Sequence, residues 1–194
     1  MRTITIIKNI YTFNELSEKA KEKVRQDYLS DEFRAEIFSE NCMYKINELF
    51  PNSDLKIQFS LCGCQGDGFN IYGEISLTDL LENLKDKFSS EELKTLEQNF
   101  MESGIDSYTM IENHYYYYCM AAWHVFTEGV ERELGYHLPV FDKFDKAARL
   151  YITKLCKEFE ETGYDFFYHV SDEEIEDWAD VNGYEFTENG IIFS

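Results

Sequence analysis

The chain lacks several features that would place it outside the soluble globular class. It has two prolines in 194 residues and no Lys or Arg after Lys157. No run approaches the ~18 apolar residues of a membrane span. Its start, MRTITIIKNIYTF, has neither the long apolar stretch nor the small-residue cleavage site of a signal peptide. We therefore expect a soluble, cytoplasmic protein with no membrane partner.

Cysteine is present in an odd number, five. That count does not suit the paired framework of a small secreted domain, so we expect reduced thiols. Cys62 and Cys64 are separated by Gly63 alone, which is shorter than the spacing of a zinc knuckle, and no second Cys or His pair follows. The sequence therefore predicts no metal site, and it indicates no cofactor, because the string GCQGDG lacks the Lys of a phosphate-binding loop.

Negative charge is concentrated in the later part of the chain. The net charge is −20. Ten acids face nine bases up to Ser60, whereas 28 acids face nine bases from Leu61 onward. Such an excess either serves solubility or attracts a basic partner. It argues against direct binding of nucleic acid, whose phosphates carry the same charge.

The hydrophobic patterns predict an α+β fold in which an antiparallel sheet built from hairpins packs against several α-helices. Leu55 to Leu77 alternates around the glycine-rich CGCQGDG and predicts a hairpin. YEFTENGIIF predicts a second hairpin at an Asn-Gly turn. Further strands are expected over 3–7 and 107–120. Helices are expected over 17–29, 31–50, 78–84, 89–103, 121–134, 141–161 and 171–182.

The predicted helices carry specific end signals and core positions. Thr78 is expected to cap the third helix, and Ser89 and Ser171 open capping boxes with Glu92 and Glu174. Phe33 and Ile37 are expected in the core. No linker or repeat is visible, so the sequence predicts one domain over 1–194, with a weak boundary near 85–90.

The candidate binding residues lie in the acidic C-terminal region. Twelve Asp or Glu and no Lys or Arg follow from Glu158 to the end. Acids that end a helix oppose its dipole, and charge placed against local stability often marks function. A plain solvated surface is the alternative. The predicted contact residues are Glu158, Glu160, Glu161, Asp172, Glu173, Glu176, Asp177 and Asp180, with Tyr164 and Trp178 as aromatic anchors. A position in the core is the alternative for Trp178.

A catalytic function has weak support in the sequence. Cys62 and Cys64 with His114 are the residues that a thiol hydrolase would use, but no helix start, strained turn or oxyanion hole is indicated around them. All four histidines, His114 included, are expected to be packed or surface residues. Of the tyrosines at 115–118, which alternate between the two sheet faces, two are expected in the core and two as contact area. We therefore expect a protein that is not an enzyme.

Three strings resemble a family of small proteins encoded by bacteriophages and integrated elements. They are FNELSEKAKEKV (Phe13 to Val24), FSLCGCQGDGFNIYGEI (Phe59 to Ile75) and DVNGYEFTENGIIF (Asp180 to Phe193). Family members tend to carry F-[DN]-E-L-S-x-x-A-K, a Ser-Gln-Gly-Asp-Gly hairpin and a terminal Y-x-F-T-x-x-G. Cys64 stands where many members have Ser. The family supplies no catalytic residues, and some members are labelled antitoxin-like.

Together, the resemblance and the charge lead to a specific expectation. A mobile-element setting implies an anti-CRISPR or related anti-defence inhibitor, and the charge suits a DNA mimic that covers the nucleic-acid site of a type II CRISPR RNA-guided nuclease. The alternative is an antitoxin-like or other phage regulatory protein that binds a basic host protein without mimicking DNA.

Overall fold

A computed structural model describes residues 8–112 and 119–193 of the chain. The predicted strand over 3–7, His114 and the tyrosine run 115–118 lie outside the described residues. The helices and strands are α1 (Glu18–Leu29), α2 (Phe33–Leu49), β1 (Asp54–Ser60), β2 (Gly68–Ser76), α3 (Leu77–Leu84), α4 (Ser90–Ser103), β3 (Ser107–Met110), α5 (Glu128–Leu134), α6 (Pro139–Tyr168), α7 (Asp172–Asn182), β4 (Glu185–Phe186) and β5 (Ile192–Phe193).

The sheet topology confirms the α+β class and both predicted hairpins. Strands β1, β2 and β3 form an antiparallel sheet in that order, with Ile57 opposite Ile71. Strands β4 and β5 form a separate antiparallel pair around the Asn-Gly turn. No helix within the described ranges has both the length and the apolar character needed to cross a membrane.

The chain divides into two compact units. The terminal unit comprises residues 1–37 and 165–194, and the central unit comprises residues 38–164. The divisions fall inside α2, after Ile37, and inside α6, after Tyr164. Residues 85–90, where the sequence showed a weak boundary, lie within the central unit. The single-domain assignment stays a prediction.

The core of the terminal unit is formed by two helices and the C-terminal hairpin. Ala20 and Val24 lie four residues apart on α1, and Ile175 and Ala179 repeat this spacing on α7, so each helix presents one apolar face. Phe186 of β4 is fully buried against them. The remaining buried members are Phe13 and Leu16, with Tyr11, Tyr28, Val170, Trp178 and Tyr184 packed around them.

The core of the central unit is rich in aromatic side chains. Phe69 of β2 stacks on Phe159 of α6, with the ring centroids 5.0 Å apart. Phe144, Ala148 and Ile152 extend the same face of α6 at helical spacing, and all are fully buried. The apolar positions predicted for this helix therefore form its buried face. The five cysteines, all of which lie in the described part of the chain, are free.

Several predicted elements differ from those in the structure. Phe33 and Ile37 were expected in the core, but they are 61% and 48% exposed. Ser76, not Thr78, caps α3, since its hydroxyl accepts from the N–H of Asp79. The predicted helix over 121–134 is only a 3-10 turn at Ala121–Trp123 followed by α5. Strand β3 ends at Met110, whereas the sequence predicted a strand to position 120. Residues 113–118 of that predicted strand lie outside the described part of the chain.

Helix α6 is longer than predicted at both ends. The predicted helix begins at position 141, but Pro139 already occupies the first helical position, where its missing N–H costs no hydrogen bond. The helix then continues seven residues beyond Glu161 to Tyr168. Gly163 is buried inside the helix beside Phe38 and Leu61. This packing accompanies the extension of the helix past Glu161.

Asp145 gives the central unit a testable pH dependence. It is 4% exposed, and Thr127 donates its N–H and its hydroxyl to it, each at 3.1 Å. Burial raises the pKa of Asp145 from 3.8 to about 6, although the Thr127 hydrogen bonds act to lower it. Between these two values the folded chain keeps a proton that the unfolded chain has lost. The proton on Asp145 therefore stabilises the folded chain. This contribution to the free energy of unfolding is fully present below pH 3.8 and is lost as the pH rises through about 6.

We expect Asp145→Asn to flatten this dependence, because the amide has no charge to bury. The free energy of unfolding of the variant minus that of the wild type should be more positive at pH 7 than at pH 4.5. Urea unfolding at the two pH values measures this difference. An equal difference at both pH values would show that Asp145 has an ordinary pKa.

Candidate functional site

Helix α7 carries most of the predicted contact residues, and one of its faces packs into the core of the terminal unit. The hydroxyl of Ser171 caps its first turn by accepting from the N–H of Glu174, and Gly183 ends it in a left-handed conformation. Trp178, predicted as an anchor, lies half-buried between the rings of Tyr28 and Tyr184, with centroids at 5.1 and 5.0 Å. Its indole therefore contributes to the packing of this unit.

Two acids of α7 have basic partners within the terminal unit. Asp172 accepts hydrogen bonds from Arg25 Nε at 2.8 Å and Nη2 at 2.5 Å, and these raise the pKa of the Arg25 guanidinium. Glu174 accepts from the Tyr28 hydroxyl at 2.8 Å and lies 3.7 Å from the guanidinium of Arg34. The basic residues of α1 and α2 thus neutralise this edge of α7, and Asp172 acts as a structural ion-pair partner.

Four other acids of α7 form one continuous surface. Positions three, four and seven residues apart share a face of an α-helix. We call the carboxylates that occupy such positions the acidic face: Glu173, Glu176, Asp177 and Asp180. Glu176 is half-buried and the other three are exposed. Within the described part of the chain, none of the four forms an ion pair, whereas their neighbour Asp172 forms two.

A groove of about 220 Å³ lies beside the acidic face. Glu176 and Asp180 line it from α7, and Phe13 and Tyr184 add aromatic rings. The ring of Phe13 already has two cations of the same unit beside it, with Lys21 Nζ 5.2 Å and Arg25 Cζ 5.9 Å from its centroid. The groove therefore continues the surface of the acidic face through two of its carboxylates.

The predicted contact residues of α6 have a different setting. They belong to the central unit, so the ten predicted residues are divided between two compact units. Glu158 pairs with Lys154 at 3.3 Å and Glu161 pairs with Lys157 at 3.8 Å, each one helical turn apart, while Glu160 is half-buried. Their charge is thus partly balanced along α6, in contrast to the acidic face of α7.

Tyr164 is also engaged within the central unit. Its hydroxyl donates to Asp67 Oδ2 at 2.9 Å, in the loop between β1 and β2. The same oxygen accepts from the N–H groups of Gly63 at 2.5 Å and Cys64 at 3.1 Å. Through these two bonds Asp67 orients the turn. Tyr164, predicted as a partner anchor, therefore holds this loop.

The loop also brings together three side chains that sequence spacing did not connect. Sγ of Cys62, Sγ of Cys64 and a carboxylate oxygen of Asp67 lie within 4.8 Å of one another. Loss of solvent contact acts to raise the pKa of Asp67, but hydrogen bonds from Ser60, Cys64 and Tyr164 lower it well below its ordinary range. Hydrogen bonds with Cys62 and Asp67 raise the pKa of the Cys64 thiol to about 12.

No protein-family model, curated protein or solved structure matches the chain.

Proposed function

We propose that the protein is a non-enzymatic inhibitor of the anti-CRISPR type, which binds a basic, nucleic-acid-binding surface of a bacterial defence nuclease. The observation that carries this proposal is the acidic face of α7, four carboxylates on one side of a helix without an ion-pair partner in the described chain. Like-charged carboxylates held this close repel one another, and a basic surface relieves that repulsion.

The spacing of the acidic face supports mimicry of a phosphate backbone. With a rise of 1.5 Å per residue, Glu173 to Asp180 span about 10.5 Å, or roughly one carboxylate per 3.5 Å. One strand of B-DNA carries a charge per about 3.4 Å along its axis. The acidic face therefore resembles one DNA strand in its mean charge density, although its steps along the helix axis are uneven, at about 4.5, 1.5 and 4.5 Å. A surface that binds phosphates with Lys and Arg can attract these carboxylates by the same charge.

The best candidate partner is the RNA-guided nuclease of a type II CRISPR system. Such an enzyme holds a heteroduplex in a positively charged channel and reads a short DNA motif with Arg side chains. An inhibitor on this channel would act in the cytoplasm of the bacterial host and would itself bind no nucleic acid. The resemblance to phage and mobile-element proteins supports the same setting.

An antitoxin-like or other phage regulatory protein is the alternative. Such a protein would bind a basic host protein through the same acidic face, but it would not mimic DNA and would not displace nucleic acid from its partner. A thiol hydrolase at Cys62, Cys64 and His114 comes third, because both thiols donate to the carboxylate of Asp67, which is not a general base of the kind that the thiol–histidine pair would supply.

Affinity capture from a bacterial lysate, followed by mass spectrometry, separates these classes. The bait should be the full chain, and the matched control a variant with the acidic face reversed by Glu173→Lys, Glu176→Lys and Asp177→Lys. A nucleic-acid-guided nuclease captured by the wild type and lost with the control supports the proposal. A toxin or transcription protein captured instead favours the alternative, and equal capture by both baits would contradict a role for the acidic face.

A further inference from the structure

The loop between β1 and β2 holds three metal-binding groups in a compact triangle. Sγ of Cys62 and Sγ of Cys64 are 3.2 Å apart, and each lies 3.3 Å from Oδ1 of Asp67. The chain turns at Gly63, which has a φ of 75°. This turn lets two cysteines separated by one residue direct their thiols to the same point.

The triangle has nearly the size that a zinc ion requires. Zinc binds thiolate at about 2.3 Å and carboxylate at about 2.0–2.2 Å. For tetrahedral angles these bond lengths place the two sulfurs about 3.8 Å apart and each sulfur about 3.6 Å from the oxygen. The observed triangle is smaller by about 0.3–0.6 Å, which small rotations of exposed side chains can supply. Two thiols and one carboxylate are also a donor set that suits zinc.

The carboxylate of Asp67 is oriented before any ion arrives. Its Oδ2 accepts from two backbone N–H groups and from the hydroxyl of Tyr164, and its Oδ1 accepts from the hydroxyl of Ser60 at 2.8 Å. Hydrogen bonds of this kind around a ligating carboxylate fix its direction and strengthen metal binding. Both thiols donate to the same Oδ1, so their protons occupy the space that a bound cation would take.

The surroundings permit a cation to enter. Cys62 and Cys64 are exposed and Asp67 is half-buried, so the open side of the triangle faces solvent. The net charge of −20 also favours the approach of cations. The spacing argument against zinc applied to a closed, four-ligand structural site, whereas these three groups would leave a fourth position open.

We propose that this loop binds one zinc-class divalent cation through Cys62 Sγ, Cys64 Sγ and Asp67 Oδ1, with water in the fourth position. Binding releases the two thiol protons to solvent and forms two metal–sulfur bonds and one metal–oxygen bond, with no change of oxidation state. The site is independent of the acidic face. The fold does not require the ion, because the loop is already held by Tyr164 and the paired strands.

The test uses the full chain with a reductant that does not bind metals, so that the thiols stay free. Cobalt(II) replaces zinc as a probe because thiolate–cobalt bonds give an intense charge-transfer absorption. The wild type should show this absorption, saturating at one cobalt per chain, and zinc should abolish it by displacement. Two protons should be released per ion, as measured by titration at constant pH.

Matched variants locate the site. Cys64→Ser and Cys119→Ser each leave four thiols, but only the first should lose the absorption. Cys62→Ser should behave as Cys64→Ser does, and circular dichroism should show that each variant is folded. The proposal is overturned if the wild type shows no thiolate–cobalt absorption, a result that does not depend on any variant. It is also overturned if folded Cys62→Ser and Cys64→Ser retain the absorption unchanged.

Discussion

Reversing the acidic face by Glu173→Lys, Glu176→Lys and Asp177→Lys is expected to weaken binding to the partner about 100-fold at physiological salt. Each reversal replaces an attraction with a repulsion, at roughly 1 kcal/mol per exposed charge, and 1.4 kcal/mol corresponds to a tenfold change in affinity. Much of the loss should appear as slower association, because complementary charge steers the encounter. Surface plasmon resonance or stopped-flow fluorescence measures both rate constants.

A second triple variant separates the position of the charge from its amount. Glu97→Lys, Glu102→Lys and Glu133→Lys changes the net charge equally at three exposed positions in the central unit. This control should bind within a few-fold of the wild type. Glu173 lies in the first turn of α7, so its reversal opposes the helix dipole and should lower the stability of the acidic-face variant by up to about 1 kcal/mol; circular dichroism at the assay temperature should show that both variants are folded. Equal weakening by the two variants would mean that total charge, and not the face of α7, governs association.

Gly190→Ala is expected to destabilise the terminal unit by about 3 kcal/mol, the sum of backbone strain and overpacking. Gly190 has a φ of 74° in the turn between β4 and β5. A Cβ there would overlap the carbonyl oxygen of Ala20 and lie 3.2 Å from Cγ2 of Val24. Since that oxygen belongs to the backbone of α1, the turn must move away from the helix, and burial of Phe186 is lost with it.

Gly183→Ala is the matched control for this prediction. Gly183 has a φ of 66°, but a Cβ there meets nothing within 4 Å. Gly183→Ala should therefore lower the free energy of unfolding only by the strain of a left-handed backbone at a non-glycine residue, about 1 kcal/mol. Denaturant unfolding in a Trp123→Phe background measures both, because Trp178 is then the only indole and reports on the terminal unit. If the two variants cost the same, the turn does not pack on α1 as described.

Local patterns in the sequence predicted much of α7. Ser171 before an apolar period and Gly183 after it set the two ends of the helix. The apolar period of this helix is consistent with a buried Ile175 and with the acidic face on the side away from the core. What the sequence could not show is which acids are already paired. Asp172 pairs with Arg25, 147 positions away, and no local spacing encodes such a contact.

The same limit explains the errors elsewhere. Ile46 of α2 is buried, but the amphipathic period of this helix could not show that Phe33 and Ile37 remain exposed. Helix formation before α5 is interrupted where the N–H of Thr127 bonds to Asp145 of α6. Asp67 meets Tyr164 across 97 positions, so this support of the loop has no signature in local spacing. The two thiols and the carboxylate are close in sequence, but their convergence depends on the turn at Gly63, which spacing alone does not show.

Competition between the protein and nucleic acid for one partner surface tests the central claim most directly. Guide-loaded type II effector nuclease should be titrated with labelled target DNA at several fixed concentrations of the protein. We expect the apparent dissociation constant for DNA to rise in proportion to inhibitor concentration, with no species that contains both ligands. An effector that binds DNA with unchanged affinity while it holds the protein would contradict mimicry of the phosphate backbone by the acidic face.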